Sequence, residues 1–83
     1  MKYYTIIYCE RDELGYTTKV EVLPKLGKDA KQVRRIVREW VVDKHLGASN
    51  FYVQLRYPNI AVIGPGCNGY TIIYNLFAKE VEV

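Results

Sequence analysis

The stretch Asp29–Leu46 reads DAKQVRRIVREWVVDKHL, and its apolar residues recur at spacings of three and four. At 100° per residue, Ala30, Val33, Ile36, Val37, Trp40 and Val41 fall on one side of a helix and predict a face turned to a core. Lys31, Arg34, Arg35 and Arg38 collect on the opposite flank, with Lys28 just before it. The predicted helix is therefore apolar on one side and basic on another. Asp29 suits the N-cap, since its carboxylate can accept from free backbone N–H groups at the positive end of the helix dipole, and Gln32 completes a capping box. Lys44 and His45 fill the last turn, and Gly47 follows, a residue that readily takes the left-handed conformation that ends helices.

Outward from this helix the chain reads as strand and turn. Before it, Tyr3–Glu10 (YYTIIYCE) and Gly15–Leu23 (GYTTKVEVL) are rich in β-branched and aromatic residues, and the short acidic link ERDEL between them predicts an antiparallel hairpin. Pro24 and Gly27 then interrupt the strand pattern. After the helix, Phe51–Tyr57 (FYVQLRY) alternates, with Phe51, Val53, Leu55 and Tyr57 against Tyr52, Gln54 and Arg56. Pro58 and Asn59 turn the chain into Ile60–Ile63, GPGCNG follows, and Tyr70–Phe77 reads as a last strand that the closing EVEV extends. The order is β-β-α-β-β-β. Because helices and sheets must each bury an apolar side, the fold class expected is α+β, one antiparallel sheet with a single amphipathic helix on one face, in one small domain over residues 1–83.

A chain of 83 residues buries roughly 60–65% of its unfolded surface, so its core is thin and each large apolar side chain counts. With 49% hydrophobic and 25% charged residues, the composition is that of a folded protein. Eight tyrosines are many for this length, and Tyr joins a large contact area to a polar tip. The formal charge of +3 is too small to imply a nucleic-acid partner by itself; its concentration on the helix flank is more telling. The N-terminus lacks a signal-peptide pattern, and no apolar run approaches the roughly 18 residues that span a bilayer, so a soluble, cytoplasmic protein without a membrane partner is expected.

Few residues suit chemistry. Cys9 and Cys67 are too few for a disulfide scaffold or a zinc site, and two free thiols in a reducing compartment are expected. Gly64–Gly69, GPGCNG, matches G-x-G-x-x-G, but a dinucleotide loop must open a helix and here a strand follows. A hairpin loop whose glycines supply positive φ is the plainer reading. His45 and Ser49 are the only residues of their types, and His45 reads as a helix-end residue. Asp12 and Glu13 lie side by side in a turn with no evident cause to raise a pKa. No catalysis, cofactor or metal is expected.

Interaction surfaces are better supported. A single helix leaves one sheet face uncovered, and the first and last strands are apolar on both sides, so one side of each is expected to meet a partner. Tyr4, Tyr8, Tyr52, Arg56 and Tyr74 are the residues expected on that open face, and a homodimer through the first or last strand would also cover it. Tyr4–Tyr8, YTIIY, recurs as Tyr70–Tyr74; pairing of the two copies would bring Cys9 close to Cys67. The basic flank, Lys28, Lys31, Arg34, Arg35 and Arg38, is expected to bind the partner as a second, electrostatic surface; it could instead contact successive phosphates, or could simply be the solvated side of an amphipathic helix.

Residues 1–24, MKYYTIIYCERDELGYTTKVEVLP, resemble the opening hairpin of HicB-type antitoxins. The shared features are Met1, Lys2 and Tyr3, an acidic turn ending in Gly15 and Tyr16, then Val20, Leu23 and Pro24, followed by an amphipathic helix. The resemblance implies a small α+β domain that binds and masks a toxin. The chain departs from that pattern in having no Gly-Cys after Pro24, a basic helix, and no DNA-binding segment within these 83 residues. The layout is also similar to small phage-encoded inhibitors of host defence complexes. The function expected is that of a non-enzymatic binding protein that occupies and masks a macromolecular partner, with a nucleic-acid-binding module as the alternative and a small enzyme third.

Overall fold

The computed structural model describes residues 2–44, 50–66 and 69–83. Five strands, β1 (Lys2–Arg11), β2 (Thr17–Val22), β3 (Tyr52–Arg56), β4 (Asn59–Gly66) and β5 (Gly69–Glu82), and one helix, α1 (Ala30–Lys44), follow in the order β-β-α-β-β-β. The strands form one antiparallel sheet in the spatial order β2-β1-β5-β4-β3. The first and last strands in sequence are thus neighbours inside the sheet.

Each connection has a local cause. Between β1 and β2 the Asp12 carboxylate accepts from the Leu14 and Tyr16 backbone N–H groups at 3.0 and 2.9 Å, and Gly15 takes φ 87°, a conformation that favours glycine. After β2, Gly27 returns to β1 and exchanges two backbone hydrogen bonds with Tyr4. A Cβ on Gly27 would fall 2.6 Å from Val33 Cγ2, so glycine is what lets the chain pass beneath the start of α1. There Asp29 Oδ1 accepts from the Gln32 N–H at 2.9 Å, while Gln32 Oε1 accepts from the Lys28 N–H at 2.8 Å. The expected capping box forms, its return bond reaching one residue further back than usual.

Val33, Ile36, Val37, Trp40 and Val41 are buried, as the helical spacing predicts, whereas Ala30 is exposed. Val33 sits by Gly27 and the Tyr4 end of β1, and Trp40 packs on Tyr8, so α1 runs along the strands. Beneath it lies one core of Ile6, Leu23, Val53, Ile60, Val62 and Leu76 with the buried helix residues, Phe51 and Ala78.

Some expectations change. Tyr4, Tyr8 and Tyr74 do not lie on the open face: they share the side of Ile6 and Leu76 and pack on the core beneath the helix. Only one set of alternate residues on β1 can meet α1. Ile6, with no exposed surface, occupies its centre, and the flat tyrosine rings fill the rims, Tyr4 on Tyr57 and Tyr8 on Trp40. Gly64–Gly66 belong to β4 and β5 starts at Gly69, whose φ is 105°, so both ends of the expected GPGCNG loop are strand, and Cys67 lies outside the described residues. The two YTIIY copies do not pair with each other, because Tyr4–Tyr8 lies against Leu76–Glu80. Cys9 is a free thiol. His45 and Ser49 also lie outside the described residues, while the tail does extend β5 to Glu82.

Candidate interaction surfaces

The register fixes which side chains leave the sheet on the side away from α1. One cross-strand row runs through all five strands, Val22–Ile7–Phe77–Asn59–Arg56. Val20 lies beside Cys9, and Tyr52–Ile63–Ile72 forms a second row nearer the β4–β5 turn. Much of this face is apolar and wet: Val20, Val22, Ile72 and Tyr70 are each more than half exposed, at 58, 59, 53 and 59%. Tyr52 stacks on Tyr70, centroids 6.3 Å apart, and the Tyr70 hydroxyl donates to Asn50 Oδ1 at 3.1 Å. Of the tyrosines expected here only Tyr52 is present, and Arg56 takes its expected place. Val20, Val22, Ile72, Tyr70 and Phe77 were not singled out from the sequence; the signal was the apolar residues left over on each strand once one alternate set is assigned to the core.

The face is notched. The β1–β5 ladder ends at Tyr8–Leu76; beyond it β1 continues to Arg11 against β2, and the first part of β5 runs against β4 with an irregularity between Val62 and Ile63. The two ends part around a cleft of about 470 Å³ lined by Tyr8, Cys9, Ile72 and Phe77 among others.

On the opposite side of the molecule Lys31, Arg34, Arg35 and Arg38 are all exposed on the outer flank of α1, around a shallow depression of about 500 Å³. Lys28 is exposed just before it. Among the described residues none of these five cations pairs with a carboxylate; Glu39 is held by Lys25 at 3.3 Å, and the Arg38 guanidinium lies 4.9 Å from the Phe51 ring centroid. All five residues expected of the basic flank are thus exposed, but of the five expected on the open sheet face only Tyr52 and Arg56 are there, and the two surfaces point away from each other across a body measuring 42 × 29 × 22 Å.

A third cluster closes the end of α1. Tyr8, Trp40 and Tyr74 pack with centroids 4.9 to 5.5 Å apart. Trp40 Nε1 donates to Glu21 at 2.6 Å and Lys44 Nζ donates to the same carboxylate at 3.0 Å. These two donors hold the Glu21 carboxyl below its ordinary value, the Trp40 hydrogen bond contributing most, and the Glu21 bond raises Lys44. Partial burial raises Tyr8 and Tyr74, which keeps both phenols protonated near neutrality. With its rings in mutual contact the cluster leaves no gap for a ligand between them, and it reads as a clamp between α1 and the sheet. Among the described residues no three His, Cys, Asp or Glu side chains gather as a metal site, and no helix is long and apolar enough to cross a membrane. No protein-family model, curated protein or solved structure matches this chain.

Proposed function

We propose that this chain is a non-enzymatic binding protein that occupies and masks a macromolecular partner, a protein in the first place, through the sheet face that α1 leaves uncovered. The observation that supports the reading is the run of exposed apolar side chains across that face, Val20 and Val22 on β2, Phe77 and Ile72 on β5 and Tyr52 on β3. The five strands, of 10, 6, 5, 8 and 14 residues, at about 3.3 Å per residue and about 4.8 Å apart offer roughly 700 Å², close to the roughly 800 Å² per partner in a stable interface. Apolar surface removed from water contributes about 25 cal/mol per Å² before the costs of association. Masking of the antitoxin type, which the β1–β2 hairpin's resemblance implies, or of the anti-defence type, to which the layout is similar, needs no more than such a docked face.

A second reading is favoured by the four outward cations of α1, which lack carboxylate partners among the described residues: a nucleic-acid-binding module that grips phosphates through Lys31, Arg34, Arg35 and Arg38. Tagged protein captured from lysate, with and without nuclease, separates the two. Masking predicts a defined protein complex that survives nuclease, persists in Arg34→Glu/Arg38→Glu, and is lost in Val20→Thr/Val22→Thr, a pair of changes suited to an exposed edge strand. Loss of bound material on nuclease treatment or on the arginine reversals, with the valine variant unaffected, would overturn masking in favour of phosphate binding.

A further inference from the structure

The charge of the open sheet face is one-sided. Strand alternation and register put Lys79, paired with Thr5, and Arg56, paired with Asn59, at one corner of that face, and Arg11, two residues past Cys9, beside the cleft at its other end. The carboxylates of the strands alternate to the other side: Glu10 opposite Lys19, where it also borders the cleft beside Arg11, Glu21 beneath Trp40, Glu80 paired with Lys2, and Glu82 two residues on. Asp12 and Glu13 sit in the β1–β2 turn and the remaining acidic residues on or beside α1. The apolar row Val22–Ile7–Phe77 therefore ends at a corner holding two cations and no anion. Lys79 projects roughly 7 Å from Phe77 along β5, and Arg56 lies roughly 10 Å from it, two strands away in the same row.

Building on the sheet face as the binding surface, we propose that its occupant is a segment of a partner protein that is apolar and rich in carboxylates, its apolar side chains on Val22, Ile7 and Phe77 and its carboxylates on Lys79 and Arg56. Charge complementarity selects this occupant over two others. A second copy docked face to face would bring Lys79, Arg56 and Arg11 against a surface whose one nearby carboxylate, Glu10, borders the cleft beside Arg11, leaving the Lys79 and Arg56 charges desolvated and unpaired. A nucleic acid would find the two cations of this corner, a third, Arg11, roughly 20 Å away, and a largely aliphatic floor between them, where single-strand binders offer a continuous cationic groove with aromatic platforms. A carboxylate at the Lys79–Arg56 corner gains a charge-assisted pair at the rim of an apolar patch, an arrangement that sets which partner is accepted more than how tightly it is held.

The test uses the purified full chain and fluorescence anisotropy with labelled 12-residue peptides of equal parts Leu and Glu, versions with Gln or Lys for every Glu, and a 12-residue oligouridylate. The Glu peptide is expected to bind about tenfold more tightly than the Gln peptide, with the Lys peptide weaker still. In Arg56→Glu/Lys79→Glu the order should reverse, the Lys peptide becoming the best ligand while the circular dichroism spectrum is unchanged. Equal binding of the Glu and Gln peptides, no binding by any peptide, or preference for the oligouridylate would overturn the acidic occupant. So would a dimer in light scattering that Val22→Thr/Phe77→Ser dissociates. Masking fails separately, when the captured complex described above is indifferent to Val20→Thr/Val22→Thr.

Discussion

Glu21 shows how one side chain can join two elements. Its carboxylate accepts from Trp40 and Lys44 of α1 and lies 3.8 Å from Lys19, so the edge strand β2 is tied to the helix that covers its neighbours. Because the folded carboxyl is held below its ordinary value, its stabilisation is complete above the unfolded carboxylate pKa, about 4.3. It is lost as the pH falls through the depressed folded value, where both states take up the proton. Glu21→Gln should therefore lower stability by about 1 kcal/mol at pH 7, or roughly 4–8 °C in Tm, given the part-exposed position. Thermal melts of wild type and variant should converge as the pH drops towards 3. Gly27 is the second such residue. An alanine there meets Val33 at 2.6 Å with helix backbone at 3.3 Å behind it, and Gly27→Ala is expected to cost about 1–3 kcal/mol in urea denaturation. Gly15→Ala, in open space but at φ 87°, should cost about 1 kcal/mol through the backbone alone.

Among the elements, α1 was the most legible from sequence, since an apolar residue every three or four positions has one structural meaning. Its N-cap follows: Asp29→Ala should lower stability by about 1 kcal/mol, and Val37→Ala, under the middle of the helix with no exposed surface, by about 2–3 kcal/mol, both read from chemical denaturation. The strands were legible as strands but not as faces. In β3 polar Gln54 and Arg56 mark the outer side, and the alternation resolves the face. In β1 and the first half of β5 both alternate sets are apolar, so Tyr4, Tyr8 and Tyr74 looked as suited to the open face as Tyr3, Ile7 and Ile72. What decides is packing that no local pattern records: Trp40 needs flat partners at the end of α1 and finds Tyr8 and Tyr74. The irregularity between Val62 and Ile63 sets Ile72 opposite Ile63 and Tyr74 opposite Val62, so the two-residue alternation that ordinarily carries along β5 is interrupted at Ile73. One extra residue in a strand changes every assignment beyond it.

At the scale of the molecule the two outward surfaces should act independently, since one lies beyond α1 and the other beyond the sheet. Charge reversal at Arg34, Arg35 and Arg38 removes one contact with the core, that of Arg38 over the Phe51 ring, and is expected to leave stability within about 1 kcal/mol. It should also leave sheet-face binding intact, a combination that a thermal melt and the peptide titration measure on the same sample. If instead these arginines and Val22 fail together, the partner wraps both sides of the body. The basic flank was visible in the sequence because charge spacing on a helix maps directly to a stripe. The acid-free character of the sheet face was not, because it depends on which alternate set of every strand points outward, and on strands brought together from the two ends of the chain.

The spatial order β2-β1-β5-β4-β3 also bears on how the chain is made. The β1–β2 hairpin leaves the ribosome first and the β3–β4 hairpin some 50 residues later, yet no ladder joins them until β5 lies between, with Lys2 opposite Glu82. During synthesis β1 therefore waits with one edge unpaired, an invitation to mispairing with neighbouring nascent chains. Closure then spans nearly the whole sequence, so refolding should be slow for a chain of this size, and cells short of chaperone capacity should lose this protein to aggregation before the sheet closes.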